Sequence, residues 1–191
     1  ADAFPCQEEI PLACRHPQMS RAQVRTRFGI PDGLRVVLVA FSGLVLNSDA
    51  RHRLEAMRDT LFLLPAPMDL QLHNGIQVPA GNPDFPSLVA ASDIVVTKPG
   101  YGIVTDAIAC DTPIVYTERG DFPEVPWLEA LIRHSLGGMA LSMEAFERGE
   151  WAGALEAAVR ARDARHAEYR APMLTDGTQV AAQRFIEYCH I

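Results

Sequence analysis

The sequence predicts a single α/β domain built on a doubly wound parallel sheet, and three observations lead to that fold. Six short apolar segments of strand length recur along the chain and alternate with segments of helical character. The apolar segments are nearly continuous, which is typical of strands covered on both faces. Parallel neighbours need crossover connections, which place helices on both sides of the sheet. A chain of 191 residues is long enough for one such domain with a buried core.

The chain opens with an extended segment and a short capped helix. Residues 1–19 carry three prolines and no apolar periodicity. They therefore predict an N-terminal arm or an interdomain linker, followed by a domain that covers residues 20–191. Ser20 is placed to cap a helix that Gly29 ends. The next segment, RVVLVAF at residues 35–41, has the continuous apolar character of a buried strand.

Strands and helices then alternate to the C-terminus. Asn47 offers a cap for the second helix, and Pro86 suits the first turn of a later one. The order defines a Rossmann-like sheet of about six parallel strands with helices on both faces. The predicted strands are 35–41, 60–66, 76–80, 93–98, 112–117 and 137–142, and the predicted helices are 20–28, 47–58, 84–92, 102–110, 124–135, 150–168 and 177–189.

Charge and composition restrict the partners. The net charge of −7 argues against nucleic acid or an anionic membrane surface as the main partner. No apolar run approaches the roughly 20 residues of a membrane span, and the first residues lack the features of a signal peptide. The four cysteines have neither CxxC spacing nor a nearby cluster of histidines. We therefore expect free thiols, no metal site and a cytoplasmic location.

The segment KPGYG, residues 98–102, lies where the fourth predicted strand gives way to a helix. Gly100 and Gly102 are able to take positive φ, and they leave bare backbone for a ligand to approach. A helix that starts near Gly102 leaves its first amides, at residues 103–105, without intrahelical partners. These donors and the positive end of the helix predict a site for phosphate or pyrophosphate.

Two charged residues flank this turn, and each has two interpretations. Asp106 lies about one turn into the helix, where it either offsets the helix dipole or accepts hydrogen bonds from the two hydroxyls of a ribose. Lys98 either reaches a phosphate from the end of the strand or is an ordinary solvated lysine. The pattern differs from the dinucleotide fingerprint GxGxxG, because Thr105 stands at the third glycine position, and this disfavours a nicotinamide dehydrogenase.

The block KPGYGIVTDAIACDTPIVYTERGDFPEVPWLEALIRH resembles the donor-binding, C-terminal half of the GT-B glycosyltransferases. It is most similar to the peptidoglycan N-acetylglucosaminyltransferase group and to the glycosyltransferase-like region of plant arabinokinases. The shared order is a glycine turn, a helix with an acidic residue, a second short turn, a proline-initiated apolar strand and a charged loop. A weaker similarity extends over about residues 20–190.

The resemblance implies a binding site for a nucleotide sugar of the uridine diphosphate type, which is the substrate, with no further cofactor. The glycine turn and the amides after it would face the diphosphate, and Asp106 would hold the ribose hydroxyls. The loop after the first strand would also approach the phosphates, and the 118–124 loop would face the donor sugar. The implied binding residues are Ser42, Gly43, Lys98, Gly100, Tyr101, Gly102, Ile103, Val104, Thr105, Asp106 and Glu124.

Two departures from the family pattern bear on function. The first loop, SGLVLN, is poorer in glycine than is usual, and the 118–124 loop lacks the family's Asp-Gln pair. GT-B enzymes also have two Rossmann-like domains, whereas this sequence predicts one. The resemblance therefore implies the donor half of a hexosyl- or N-acetylhexosaminyltransferase, inactive unless joined to an N-terminal acceptor domain, and it leaves the catalytic residues unassigned.

Two alternatives remain open, namely a non-catalytic glycosyltransferase-like binding or regulatory module and an enzyme similar to the nucleotide-sugar epimerases. The histidines and tryptophans of the sequence favour neither of these two alternatives. The six histidines lack the i, i+4 spacing of a helical metal site. Trp127 and Trp151 are expected to be packing residues rather than stacking platforms.

Overall fold

The protein forms one six-stranded parallel sheet, which a computed structural model describes for residues 7–41, 43, 45–81, 83–118, 120, 122–167 and 173–189. The strand order is β3-β2-β1-β4-β5-β6, and every neighbouring pair is parallel. The prediction of a doubly wound sheet is confirmed. The strands are β1 (Arg35–Ala40), β2 (Thr60–Pro65), β3 (Gly75–Val78), β4 (Ile94–Thr97), β5 (Ile114–Thr117) and β6 (Met139–Leu141).

Eight helices surround this sheet in the described part of the chain. Ser20 and Gln23 form a reciprocal capping box at the first helix, and the Asn47 side chain accepts hydrogen bonds from two amides of the second. The short helix that follows β6 was not predicted. The helices are α1 (Arg21–Arg27), α2 (Ser48–Glu55), α3 (Phe85–Ala91), α4 (Tyr101–Ala109), α5 (Val125–Leu136), α6 (Met143–Glu147), α7 (Ala152–Ala167) and α8 (Gly177–Cys189).

The two faces of the sheet carry separate hydrophobic clusters. One cluster packs β-strand side chains against α1, α3, α4 and α5, and the other packs them against α2, α6 and α7. Trp151 belongs to the second cluster, where it is fully buried and its indole N–H donates to the Phe146 carbonyl at 2.9 Å. Its predicted packing role is confirmed.

Trp127 does not pack against the core, so the prediction that it is a packing residue was wrong. Its side chain is 82% exposed at the third residue of α5. The face of α5 that packs against the sheet carries Leu128 and Ile132 instead. Because Trp127 precedes Leu128 by one residue, it is rotated by about 100° from that buried stripe.

The described part of the N-terminal arm is fastened to the body of the domain. The amide of Leu12 donates to Leu174, and the amide of Gly177 donates back to Leu12, so the arm pairs with the segment that enters α8. Cys14 is buried in this arrangement. Among the described helices, none combines the length and apolar character needed to cross a membrane.

Candidate functional site

The candidate site lies at the carboxyl edge of the sheet, at the topological switch point between β1 and β4. Strands β2 and β3 are added on one side of this point, and strands β5 and β6 on the other. β1 and β4 are neighbours in the sheet although they are distant in sequence, and their register pairs Ala40 with Thr97. The loops that follow these two strands diverge to opposite faces, which opens a crevice where α/β proteins of this type bind ligands. The glycine turn follows β4, so the fold places it beside this crevice.

The glycine turn differs from expectation in its backbone. Gly100 is the N-cap of α4 and is extended, with φ of −153°, and neither it nor Gly102 is among the glycines with positive φ. Helix α4 begins at Tyr101, one residue earlier than predicted. The Val104 amide already donates to the Gly100 carbonyl at 3.1 Å, so the amides without an intrahelical partner are those at the start of α4, residues 101–103.

The space around Gly102 is open. A Cβ built at this residue would meet no described heavy atom within 4 Å. The glycine is therefore not required by internal packing or by backbone strain. Its absent side chain leaves the first amides of α4 accessible from outside, which is the property an anion site at a helix N-terminus needs.

Lys98 is the one lysine in the sequence, and it lies between the two loops of the crevice. Its Nζ is 4.4 Å from the centroid of the Phe41 ring. Phe41 directly follows β1 and stacks on Phe146 with a centroid distance of 4.6 Å. The ammonium group therefore rests on an aromatic face at the switch point of the sheet, a contact that favours a cation by roughly 0.5–2 kcal/mol.

Asp106 is fully buried in the second turn of α4, so the interpretation that it offsets the helix dipole from the first turn does not hold. Arg15 of the arm engages its carboxylate: Nη2 lies 2.5 Å from Oδ2, and Nε lies 3.3 Å from Oδ1. The Arg15 backbone amide also donates to Oδ1 at 3.3 Å. The arm therefore covers the side chain that was predicted to hold a ribose.

The arm contacts two further residues of this helix. The Ala13 amide donates to the Tyr101 hydroxyl at 3.3 Å, and Tyr101 remains 47% exposed. The Thr105 hydroxyl donates to the Gly102 carbonyl, and Thr105 is buried beside Cys14 of the arm. Sequence reasoning missed Arg15 because no local pattern links it to a carboxylate 91 positions away.

A buried hydroxyl without a partner lies at the end of the neighbouring strand. Thr117 ends β5, and in the described part of the chain no group hydrogen-bonds to its Oγ1. Thr97, which ends β4, is different, since its hydroxyl is 2.7 Å from the Ala40 carbonyl oxygen. Thr97 and Thr117 are the last residues of two adjacent parallel strands, so both lie at the carboxyl edge of the sheet.

The remaining predicted residues surround the same edge of the sheet. Gly43, in the loop after β1, has φ of +70°, a conformation that favours glycine. Glu124 is exposed at the N-cap of α5 and makes no side-chain cap hydrogen bond there. Ser42 lies outside the described residues. Gly43, Glu124 and the glycine turn thus follow the ends of three different strands.

The two thiols near Asp106 have raised pKa values. Burial raises the pKa of Cys110 to about 11, with smaller contributions from the charges of Asp106 and of Cys14. Burial and the Asp106 charge also raise the pKa of Cys14. Both thiols are therefore neutral and poor nucleophiles near neutral pH. The described residues contain no cluster of three or more acidic, His or Cys side chains able to hold a metal.

The parallel six-stranded sheet with helices on both faces has the fold of one Rossmann-like half of the GT-B fold. Among solved structures, the calicheamicin glycosyltransferase CalG4 is similar with a TM-score of 0.59 and 19% identity over 83% of this chain and 44% of its own. WaaG, a glycosyltransferase involved in lipopolysaccharide biosynthesis, is similar with a TM-score of 0.58 and 17% identity over 92% of this chain and 55% of its own. At these identities the likeness concerns the fold.

A curated relative is similar in sequence. An L-arabinokinase of Arabidopsis thaliana is 28% identical over 151 residues, which is 79% of this chain and 14% of the relative. The chain therefore spans about half the length of the solved structures and a small part of the kinase. No family model matches the chain.

Proposed function

We propose that the chain is the donor-binding domain of a nucleotide-sugar-dependent glycosyltransferase, with the diphosphate bound at residues 98–106. The observation that carries this proposal is the open N-terminus of α4. Its first amides are unpartnered within the helix, no described atom occupies the space beside Gly102, and Lys98 lies at the adjacent strand end. Oriented amides, a positive helix end and an ammonium group together suit a diphosphate.

The same groups suit the chemistry of glycosyl transfer. When the glycosyl bond breaks, negative charge grows on the departing diphosphate. Amides fixed at a helix N-terminus stabilise that charge without having to reorient during the reaction. In this proposal Lys98 moves from the ring of Phe41 to the phosphates, so an ion pair replaces a cation–π contact.

Asp106 has to exchange partners if it binds a ribose. Its carboxylate is buried, and Arg15 already contacts both of its oxygens. In this proposal, ribose binding to Asp106 requires residues 13–15 of the arm to shift, and the ribose hydroxyls then replace at least one of the Arg15 contacts. Glu124, Gly43 and Ser42 remain the proposed contacts of the sugar and of the phosphates from the neighbouring loops.

An acceptor domain is part of the proposal. Transfer requires an acceptor nucleophile opposite the donor, and positioning the two contributes much of the rate of such reactions. The glycosyltransferases of similar fold are about twice as long as the part that this chain covers. We propose that the active enzyme contains an N-terminal Rossmann-like domain, that it works in the cytoplasm, and that it transfers a hexosyl or N-acetylhexosaminyl group.

The test is binding of uridine, adenosine and guanosine diphosphates by titration calorimetry. We expect binding with preference for the uridine compound, and we expect Lys98→Met to weaken it at least fivefold. The variant should stay folded and melt only a few degrees lower, because Met loses the cation–π contact but still covers Phe41. Arg184→Met, on α8, serves as the control for loss of one positive charge. If the wild-type protein binds none of the three at millimolar concentration, the proposal is refuted.

The single lysine permits a second, independent test. An amine-reactive reagent modifies only Lys98 and the N-terminal amine, and mass spectrometry separates the two products. We expect uridine diphosphate to protect Lys98 and to leave the N-terminus reactive. Equal labelling of Lys98 with and without a bound nucleotide would remove Lys98 from the site.

The arabinokinase similarity favours a second candidate, a glycosyltransferase-like module without transferase activity. The matched segment is 14% of a protein that is named for a kinase activity. Such a module would bind a nucleotide or a sugar and transfer nothing, even within its full-length protein. A transfer assay on the full-length protein with labelled donors separates the two candidates. A candidate UDP-N-acetylglucosamine 2-epimerase of Listeria monocytogenes has a similar fold with a TM-score of 0.51, so release of an epimerised sugar belongs in the same assay.

A further inference from the structure

Trp127 is exposed in a way that no packing role explains. Its side chain is 82% accessible, whereas Trp151, the second tryptophan of the chain, is fully buried. Exposing an indole forgoes roughly 1.5–3 kcal/mol of burial free energy. Among the residues that the structure describes, no aromatic ring stacks on Trp127 and no cationic group lies over it.

The fold places the first turn of α5, which carries this indole, next to the helix that follows the glycine turn. Helices α4 and α5 follow the adjacent strands β4 and β5, and both pack on the same face of the sheet through Val104, Ala107, Leu128 and Ile132. Their N-termini therefore lie side by side at the carboxyl edge. Trp127 is in the first turn of α5, and Tyr101, which is 47% exposed, is the first residue of α4.

The described residues of the loop that leads into α5 include two carboxylates and a second exposed ring. Phe122 is 41% exposed and precedes α5 by three residues. Glu118 and Glu124, from the loop between β5 and α5, are both exposed. An anionic group placed against these carboxylates is repelled, so the part of a ligand that lies against them is neutral. A neutral polyol is accepted, because carboxylate oxygens receive hydrogen bonds from hydroxyl groups.

We propose that Trp127 is a stacking platform for a neutral pyranose ring, with Glu118 and Glu124 as acceptors for its hydroxyls. The C–H bonds on one face of a pyranose carry partial positive charge, and they match the negative face of the indole. This inference rests on the proposed function for the position of the donor beside the platform. The ring belongs either to the sugar of the nucleotide donor or to a neutral acceptor glycan.

Fluorescence distinguishes the two tryptophans without any mutation. Trp127 is open to quenching by acrylamide, and the buried Trp151 is shielded from it. The probes are UDP, UDP-glucose, UDP-N-acetylglucosamine, maltotetraose and chitotetraose. We expect at least one sugar-bearing probe to shift the emission to the blue and to protect Trp127 from the quencher, while UDP alone does not. Protection by a nucleotide sugar identifies the donor as the source of the ring, and protection by a tetrasaccharide identifies the acceptor.

Variants at residue 127 test whether the aromatic ring itself binds the sugar. Trp127→Leu should lower the affinity for the probe that protects Trp127 between about twofold and tenfold, which is the range of one aromatic contact. It should leave the affinity for UDP unchanged. Trp127→Tyr should retain most of the binding. Tyr188→Leu on α8 is the matched control, because it removes another exposed ring, 62% accessible, outside this edge. All three variants should melt as the wild type does.

The outcomes separate this inference from the proposed function. Protection of Trp127 by a tetrasaccharide without any UDP binding refutes the nucleotide site and supports the platform. UDP binding with no protection by any sugar-bearing probe overturns the platform and leaves the nucleotide site in place. Equal losses of UDP and UDP-sugar affinity in Trp127→Leu also overturn it. Protection seen only when a separate acceptor domain is added shows that the indole is a docking surface, which again overturns the platform.

Discussion

Arg15 and Asp106 form an ion pair between the N-terminal arm and the helix that follows the glycine turn. The Arg15 guanidinium is 2.5 Å from one carboxylate oxygen and 3.3 Å from the other, and Asp106 itself is fully buried. The pair joins the arm to the predicted ligand site. Any ligand that uses the Asp106 carboxylate therefore changes how the arm is held.

We expect Arg15→Ala to destabilise the protein by roughly 1–3 kcal/mol, because it leaves the buried carboxylate without its charged partner. The value lies below that of a fully buried pair, since the Arg15 side chain is 62% exposed. Urea denaturation measures the change. The double variant with Asp106→Asn should recover part of the loss, because the remaining amide is neutral.

The control for this ion pair is Arg160→Ala on α7. Arg160 pairs with Glu156 on the surface at 3.4 Å, and both side chains are more than half exposed. Its removal should change stability by less than about 0.5 kcal/mol. Equal effects of the two arginine substitutions would show that the arm is not held by Asp106.

Gly102→Ala should fold as well as the wild type, because the added methyl group meets no described atom and φ is not positive. In the proposed site the same methyl group obstructs a phosphate at the first amides of α4, so nucleotide affinity should fall. Paired calorimetric titrations and melting curves separate the two properties. Unchanged affinity in a folded Gly102→Ala variant would show that no ligand approaches this backbone.

Gly138→Ala is the contrasting glycine variant. A Cβ at Gly138 would overlap the Ile132 side chain and lie 2.7 Å from the Ile114 carbonyl oxygen. We expect a loss of roughly 1–3 kcal/mol of stability, the usual cost of overpacking. Thermal unfolding measures it, and a loss no larger than that of Gly102→Ala would contradict the tight packing between α5 and β5.

Thr117→Val should leave stability unchanged or raise it, because the substitution keeps the side-chain shape and removes a buried hydroxyl that has no partner among the described residues. Thr97→Val should lower stability by about 1–3 kcal/mol, because the Ala40 carbonyl oxygen loses its donor. The free energy of unfolding in urea compares the two. A larger loss in Thr117→Val than in Thr97→Val would mean that the Thr117 hydroxyl is satisfied in solution.

Cys110 should resist alkylation until strongly alkaline pH. The thiolate is the reactive form, and burial raises the pKa of Cys110 to about 11. Because this folded value lies above the ordinary cysteine pKa of 9.0, the thiol stabilises the fold below about pH 9, and the contribution is lost as the pH rises through 11. Iodoacetamide labelling followed by mass spectrometry reads each cysteine separately.

Cys189, which is exposed on α8, provides the internal comparison for this labelling. At pH 8 we expect Cys189 to be modified rapidly and Cys110 to remain largely unmodified. In urea the two should react alike, because the burial that separates them is gone. Equal rates in the folded protein at pH 8 would show that Cys110 is accessible as a thiolate.

Local patterns in the sequence were sufficient to predict the sheet and its helices. Short segments rich in apolar residues identified all six strands, and cap residues such as Ser20 and Asn47 located the starts of helices. The glycine turn was also placed correctly at the end of β4. These features depend on neighbours within a few positions, so their physical causes are contained in short stretches of sequence.

The tertiary structure decided which side chains meet, because those contacts join distant parts of the chain. It placed Lys98 on Phe41, buried Asp106 under Arg15 and left Trp127 exposed. Apolar composition could not distinguish Trp127 from Trp151, since burial depends on which helix face the sheet covers. The sequence by itself determined a Rossmann-like domain with a glycine turn at a strand end. The pairing of the arm with that turn arose only from packing, because an ion pair across 91 positions leaves no local trace.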